Sequence, residues 1–400
     1  MWLESLIALK FLRQNLIQTA LILVGIAVGV SVIVFITTLI NGLQANIIER
    51  TLGTQSHIRV EPAEEQNLIA PVEPGTISLT REDPRGQRLR SINNWIAVQS
   101  TLDQLENVTA VSPVVSGPAF ARRGDVLKSV SIVGVNPVRY EKIIPISDDI
   151  ISGTFRVGAG DAVIGRLLAK DLGLRTGSKM RIEADDGRSA LLTIAGIFEL
   201  GVRELDQRYV YLDLKQAQSL LDLPGGVTLI DVTVDNIFAA ELEAQRIQRL
   251  TGMKAESWIE TNAQLMNALS SQRFSTTVIT VFVALSVAFG IASVLAISVT
   301  QRTREIGILR AMGIRQHQML RVFLVQGALL GMAGSAVGAV AGTGLVWAFN
   351  TFGPKLFYIP LSPVLIPITM VFAAFTGVLA ASIPAWRAAR LNPVEAIRYV

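Results

Sequence analysis

The sequence predicts a membrane α-helical protein, four transmembrane helices in a 1+3 order with a large α+β extracytoplasmic domain. Three observations carry this reading. Four stretches of the 400-residue chain are apolar and free of charge, about 230 residues of ordinary soluble composition separate the first from the rest, and Lys and Arg gather beside particular ends of the stretches. A bilayer core about 30 Å thick takes roughly 20 helical residues, and each stretch is long enough. A charge at mid-bilayer costs about 2.5 to 3.5 kcal/mol on insertion scales, so four charge-free windows point to the membrane.

Residues 1–15 form a short cytoplasmic segment, and residues 16–44 the first membrane helix. Lys10 and Arg13 ahead of an apolar stretch also suit a cleaved signal peptide. The apolar core, however, outruns the usual length of about 7 to 15 residues, and no A-x-A site follows it, so a retained helix is expected.

Residues 45–273 read as a mixed α+β domain. Ser56 to Glu61 is expected as a strand, and Pro62 to Arg90, rich in Pro, Gly and charge, as a loop. Ile92 to Leu105 has helical spacing with Ile92, Trp95, Ile96, Leu102 and Leu105 on its buried face. Val114 to Phe120 and Val126 to Val135 alternate as strands do. Asp161 to Leu172 reads as a helix closed by Gly173, and Lys179 to Glu183 with Ala190 to Phe198 as a hairpin turning at Asp185, Asp186 and Gly187. Arg208 to Leu212 and Leu229 to Val234 are expected strands around a helix, Leu214 to Leu221, and Phe238 to Leu250 is a final helix. Elements between about Ser112 and Asp206 look like an insertion in a βαβ frame, suggesting two subdomains.

The second membrane helix spans 274–300. Residues 301–321, QRTREIGILRAMGIRQHQMLR, combine arginines with an apolar face of Ile306, Ile308, Leu309 and Met312. Such a segment suits either a helix on the membrane surface or one docked in a partner's groove. The third membrane helix covers 322–349, a short periplasmic loop 350–362, the fourth helix 363–385 and a cytoplasmic tail 386–400. By the positive-inside rule, Arg302, Arg304, Arg310, Arg315 and Arg321, with Lys10, Arg13, Arg387, Arg390 and Arg398, put both termini and the 301–321 link in the cytoplasm. The link 350–362 offers only Lys355.

Outside the large domain, eleven Lys and Arg stand against Glu4, Glu305 and Glu395, a net of +8, so the whole-chain +4 leaves the domain near −4. The basic excess therefore follows membrane topology and gives no reason to infer nucleic-acid binding. Cysteine is absent, which excludes disulfide and thiolate chemistry. His57 and His317 fall on opposite sides of the membrane, so they cannot share a metal site or a triad. The pairs Asp148/Asp149 and Asp185/Asp186 sit in turn-like contexts and read as solvated carboxylates. Neither G-x-x-x-x-G-K-[ST] nor G-x-S-x-G occurs. No catalytic residue, metal ligand or cofactor site is expected in this chain. Gly25/Gly29, Gly327/Gly331 and Gly334/Gly338/Gly342 are spaced for close helix approach, the last two series inside the chain and the first open as part of a subunit interface.

Three stretches, TREIGILRAMGI (Thr303 to Ile314), FLVQGALLG (Phe323 to Gly331) and PAWRAARLNPVEAIRY (Pro384 to Tyr399), resemble the FtsX/MacB-type permeases of ABC transporters. NGLQANIIERTLG (Asn41 to Gly53), VIGRLLAKDLGLRTGSKMRI (Val163 to Ile182), YVYLDLKQAQSLL (Tyr209 to Leu221) and WIETN (Trp258 to Asn262) are most similar to the lipoprotein-releasing LolC/LolE-type members. One departure concerns the protruding, Pro-containing hook that recruits a carrier in that type. Here the matching hairpin, Met180 to Leu192, turns tightly.

The resemblance implies a bacterial inner-membrane permease that works by mechanotransmission. Two such chains, homodimeric or heterodimeric, would pair through their first and second helices above two ABC ATPase subunits, which bind the ATP and Mg. It implies coupling to the ATPase through Arg302, Arg304, Glu305, Ile306, Ile308, Leu309, Arg310 and Gly313. It implies a lateral lipid cavity at Val34, Ile36, Ile40, Phe282, Leu285 and Phe289, taking a lipoprotein or other amphiphilic substrate from the membrane lipids to a periplasmic carrier or adaptor. MacB-like export and FtsX-like signalling to a cell-wall hydrolase are the alternatives within the family.

Overall fold

The computed structural model describes residues 2–63, 89–354, 357–361 and 363–391. Helices α1 (Trp2–Gln14) and α2 (Leu16–Leu52) lead to strand β1 (Ile58–Glu61) and helix α3 (Trp95–Leu102). Strands β2 (Val108–Arg123) and β3 (Val126–Val135), helix α4 (Pro137–Tyr140) and strands β4 (Ile150–Gly153) and β5 (Asp161–Gly165) follow. Next come α5 (Arg166–Asp171), β6 (Lys179–Ala184), β7 (Ser189–Phe198), α6 (Arg203–Arg208), β8 (Tyr209–Asp213), α7 (Leu214–Leu220), β9 (Leu229–Val234), α8 (Ala240–Thr251) and β10 (Lys254–Ser257). The chain ends with α9 (Trp258–Thr261), α10 (Ala263–Gln301), α11 (Thr303–Ala311), α12 (Gln316–Phe352) and α13 (Leu365–Ala389). Two compact units result, Met1–Ile48 with Asn267–Val400, and Glu49–Met266.

Among the described residues of the first unit, α2, α10, α12 and α13 are long and apolar enough to cross a membrane. They outrun the apolar windows at several ends because nothing in those polar flanks breaks a helix; α2 stops only just before Gly53. The additional length is fastened, with Gln44 Nε2 donating to the Leu269 carbonyl at 3.4 Å.

Glycines decide how these helices pack. Gly327 and Gly331 of α12 meet Gly377 and Ala373 of α13, and Gly334, Gly338 and Gly342 meet Ile26, Ala27, Val30 and Val34 of α2. Both α12 series thus serve packing within the chain, as expected from their spacing. A Cβ at Gly338 would lie 2.6 Å from the Ala27 carbonyl oxygen and 2.8 Å from Val30 Cβ, atoms that no rotamer change removes. Gly338→Leu should therefore part α12 from α2 at a cost of about 1 to 3 kcal/mol and lower the unfolding midpoint in detergent. Gly344→Leu, with nothing within 4 Å of the added carbon, is the control that should leave the midpoint unchanged.

In the second unit the strands belong to one ten-stranded sheet ordered β10-β1-β9-β2-β3-β8-β5-β7-β4, with β6 bridging β2 and β7. Through β6, the strands β2, β3, β8, β5, β7 and β6 pair in turn and close on themselves. Each strand of this ring has at least two neighbours, so the edges that could pair with other chains are left to the short strands β10 and β4 outside it. Closure also explains the two halves of β2. Ala110 to Val115 are buried without a break, whereas from Gly117 to Arg122 burial alternates with exposure, as on a ring wall with one solvated face. Ala119, Ala121, Val130, Ile132, Met180, Ile182, Leu192 and Val210 are buried. A second apolar cluster includes Tyr211, whose ring meets Tyr140 at a tilt and Phe155, Phe198 and Tyr209 edge-on, at centroid distances of 5.4 to 6.2 Å.

The division proposed near Ser112 and Asp206 does not interrupt the sheet, since β2 pairs with β9 and β3 with β8 across it. Asp161 to Leu172 is a strand followed by a short helix. Val163 and Ile164 are β-branched and fully buried between β7 and β8, and a Cβ at Gly165 would sit 2.1 Å from the Asp206 carbonyl oxygen, so only glycine fits that turn. Gly173, at φ +61°, terminates α5 as expected.

The first external helix is shorter than predicted. Ile92 instead bridges to Val227, and Ile96, expected inside, is 66% exposed. Strands β4 and β10 and helix α6 were not read from sequence; β4 and β10 are four residues each, too short to show a period. The β6–β7 turn is as tight as expected, with Gly187 at φ +86° and Gly187 N–H donating to the Ala184 carbonyl. Most of the Pro62–Arg90 loop, Lys355, Glu395 and Arg398 lie outside the described residues.

Burial gives one side chain of this unit an unusual environment. Asp231 is buried in β9, accepts from Ser56 Oγ at 2.5 Å and lies 3.8 Å from Arg59 Nε. Loss of solvation holds its carboxyl above the usual range despite the nearby guanidinium. Raised in the fold, it contributes stability that is fully present below the ordinary carboxylate pKa and lost as pH rises through the folded value.

Candidate functional site

Two features of the first unit have the geometry of a site. One is a groove of about 440 Å³ between α2 and α10, within the range of small-ligand pockets. Leu21, Gly25, Val28 and Gly29 form one wall, and Phe282, Val283, Ser286, Val287 and Gly290 the other. A Cβ on Gly29 would meet Val287 Cγ2 at 2.6 Å, so the helices touch there. At Gly25 and Gly290 an added Cβ would find nothing within 4 Å, so the walls stand apart. With Ser286 the only side-chain hydroxyl in the lining, the groove suits hydrocarbon.

Of the six residues expected at a lipid cavity, only Phe282 lines this groove. Val34 is 1% exposed and lies in the bundle core against Gly342. Ile36 and Ile40 are half-buried and do not line the groove, and Leu285 and Phe289 are exposed outside its lining. The face of α2 that turns inward is chosen by the α12 glycines, a partner that helical spacing within α2 cannot reveal. A usable signal was present: Gly25 and Gly29 on α2 have a small-residue counterpart in Ser286 and Gly290 on α10, each pair four apart.

The second feature is α11. Its C-terminus carries a Schellman closure, with Ile314 N–H donating to the Leu309 carbonyl and Gly313 N–H to that of Arg310 at 3.2 and 3.1 Å. Gly313 makes the turn at φ +103°, a conformation that side chains rarely adopt.

Inwardly, Ile306 is fully buried with Met319 and Phe323, and Leu309 packs on the same cluster. Arg302 is 8% exposed and Arg310 donates to the Leu391 carbonyl, so both guanidinium groups have partners inside the chain. Outwardly, Arg304, Glu305, Ile308 and Met312 are exposed, and the four-residue spacing of 304, 308 and 312 puts these on one face. The predicted coupling residues thus separate into two sets, an anchor of Arg302, Ile306, Leu309 and Arg310 and an outward face of Arg304, Glu305 and Ile308, to which Met312 is added.

In the second unit, His57 is held by the main chain of Val234 at 3.0 Å, and burial lowers its pKa. Among the described residues, no group of three or more His, Cys, Asp or Glu could hold a metal ion.

A 1+3 helix order, an α+β domain between the first and second membrane helices, an apolar groove between α2 and α10 and a short amphipathic link suit a membrane permease. The FtsX-like permease C-terminal profile matches residues 277–393, and the MacB-like periplasmic core domain profile matches residues 19–250. The chain belongs to this FtsX/MacB family and is an ABC transporter permease of the LolC/LolE or MacB type. It is 24% identical to the lipoprotein-releasing system transmembrane protein LolC of Neisseria meningitidis, over 99% of each chain. Identity to LolE of Haemophilus influenzae is 25%, covering 94% of this chain and 92% of that one. To the macrolide export ATP-binding/permease protein MacB of Hyphomonas neptunium it is 27%, covering 98% of this chain and 60% of that protein.

Proposed function

We propose that this chain is the membrane subunit of a complex that releases lipoproteins from the bacterial inner membrane, driven by ATP hydrolysis in separate ABC ATPase subunits. The observation that carries the proposal is the apolar groove between α2 and α10. Acyl chains leaving a bilayer need a lateral apolar surface, and each buried CH₂ contributes about 0.8 kcal/mol. Similarity to LolC over the full length of both chains supports the same reading. In it, the outward face of α11 meets the ATPase. A second permease chain completes the complex, and a periplasmic carrier receives the cargo.

The tight β6–β7 turn bears on that carrier. Its Asp186 caps the Arg188 N–H at 3.0 Å, and Arg188 pairs with Asp222 at 2.5 Å, so the turn is held down by its own charges. A hookless hairpin of this kind favours recruitment by a heterodimeric partner. It equally suits the second reading, MacB-like export of an amphiphile through a periplasmic adaptor and outer-membrane channel.

The test is release from proteoliposomes. The complex with its cognate ATPase should move a triacylated lipoprotein to a soluble acceptor in an ATP-dependent manner. Export of a soluble amphiphile through an adaptor, with no lipoprotein extracted, would establish the MacB-like reading instead.

Orientation has its own experiment. Single cysteines placed in this cysteine-free chain at Asp186 and Arg315 should differ in intact spheroplasts, the first labelling with an impermeant reagent and the second remaining protected. Labelling at Arg315 would overturn both the cytoplasmic assignment of α11 and its proposed contact with an ATPase.

A further inference from the structure

We infer that Arg302 is a positioning residue, fastening the N-terminal helix α1 to the start of α11 so that the segment offered to an ATPase and the first membrane helix move as one piece. This rests on the proposed role of α11 as the ATPase contact.

Two helix breaks lie side by side in the first unit. Asn15 separates α1 from α2, and Arg302 separates α10 from α11. A helix end leaves carbonyls without an intrahelical partner. Arg302 reaches across to one of these on α1, its Nη2 donating to the Phe11 carbonyl at 2.9 Å, while its Nη1 donates to the side-chain Oε1 of Gln14 at 2.8 Å. The guanidinium carbon stands 4.7 Å from the centroid of the Phe11 ring. A buried cation persists only where hydrogen bonds replace its water, and the planar fork of arginine reaches two acceptors that one lysine nitrogen cannot match.

The surroundings are built around the same pair of breaks. Asn15, Gln18, Ser298, Arg302 and Gln326, drawn from the two breaks and from α2, α10 and α12, line a cavity of about 10 Å³, and the buried Gln326 Oε1 has no protein partner there. Of these, Ser298, Arg302 and Gln326 are buried, and polar groups buried at one point hold their elements in a single register. Below them, Ala8 and Phe11 of α1 share a core with Ile306, Met319 and Phe323, while Glu4 and Arg321 approach to 3.6 Å. Any shift of α11 must therefore either carry α1 with it or break a buried charge from its acceptors. Because α1 leads directly into α2, one wall of the apolar groove follows.

Spin labels on cysteines replacing Leu9 in α1 and Ala311 in α11, both exposed, read this contact in the full-length permease. With Arg302 in place the distance distribution should be narrow and the same with and without ATPase and nucleotide. Arg302→Met should broaden it, and Arg302→Lys should fall between. Gln14→Ala, which removes one acceptor, should broaden it less than Arg302→Met and add nothing to that variant; it serves if Arg302→Met fails to fold. Lipoprotein released per ATP hydrolysed should fall roughly two- to thirtyfold in Arg302→Met while bound ATPase is unchanged. A narrow distribution in Arg302→Met, an unchanged release ratio, or a loss of ATPase binding that accounts for the whole defect would each overturn the positioning role. A wild-type complex that releases no lipoprotein would refute the transport reading alone, and the distance distributions would still decide the contact.

Discussion

Gly25→Leu should abolish lipoprotein release while leaving insertion and basal ATP hydrolysis intact. The added side chain enters the groove between α2 and α10 at a point where a Cβ meets nothing within 4 Å, so it fills space without pushing the helices apart. It is apolar and favours helix, so neither bilayer insertion nor α2 itself is penalised. Displacing even three acyl methylenes forfeits about 2.4 kcal/mol, roughly fiftyfold in affinity, and chains that cannot enter the groove are not released at all. Phe282→Asp attacks the opposite wall by placing a charge among hydrocarbon and should give the same loss. Release assays with matched amounts of reconstituted complex measure both. Wild-type release by Gly25→Leu would exclude the groove as the acyl path, and loss of the permease dimer in that variant would reassign Gly25 and Gly29 to a subunit interface.

Ile308→Asp should detach the ATPase. Ile308 is 44% exposed on the outward face of α11, between Arg304 and Met312, and an aspartate there would replace an apolar contact by a charge stripped of its water against a partner, a cost that an exposed pair with Arg304 does not offset. Losses of about 2 to 4 kcal/mol are typical when the central apolar residue of an interface is replaced, roughly thirty- to a thousandfold in affinity. Copurification of the cognate ATPase and its stimulation by the permease are the readouts. Glu305→Lys, on the same face, should weaken binding less, since a rim charge is worth little. Ile306→Asp is the informative contrast: Ile306 is fully buried, so its replacement should unfold the anchor and lower the amount of folded protein. Equal ATPase binding by wild type and Ile308→Asp would leave α11 as a surface helix.

Much of this protein is legible in its sequence because the physics concerned is local. Membrane spans follow from the absence of charge over about 20 residues, and the turns at Gly173 and Gly187 follow from the need for positive φ. The α12 glycine series announced close packing because their four-residue spacing puts them on one face. Strand pairs such as β6–β7 were readable from alternation, since each has one solvated side.

What the sequence left undetermined depends on partners distant in the chain. Asp161 to Gly165 is a strand only because β7 and β8 lie on either side of it, and the ring closes only because β6 reaches both β2 and β7. Val34 reads as well as any apolar residue for a lipid-facing wall until Gly342 is found against it. Arg302 reads as one more arginine in a basic link until Phe11, remote in sequence, supplies its acceptor. Burial is a property of two surfaces. The chain fixes by itself which residues are apolar and which segments can be helical, while only the packed structure decides which apolar face is covered and which is left open as a groove.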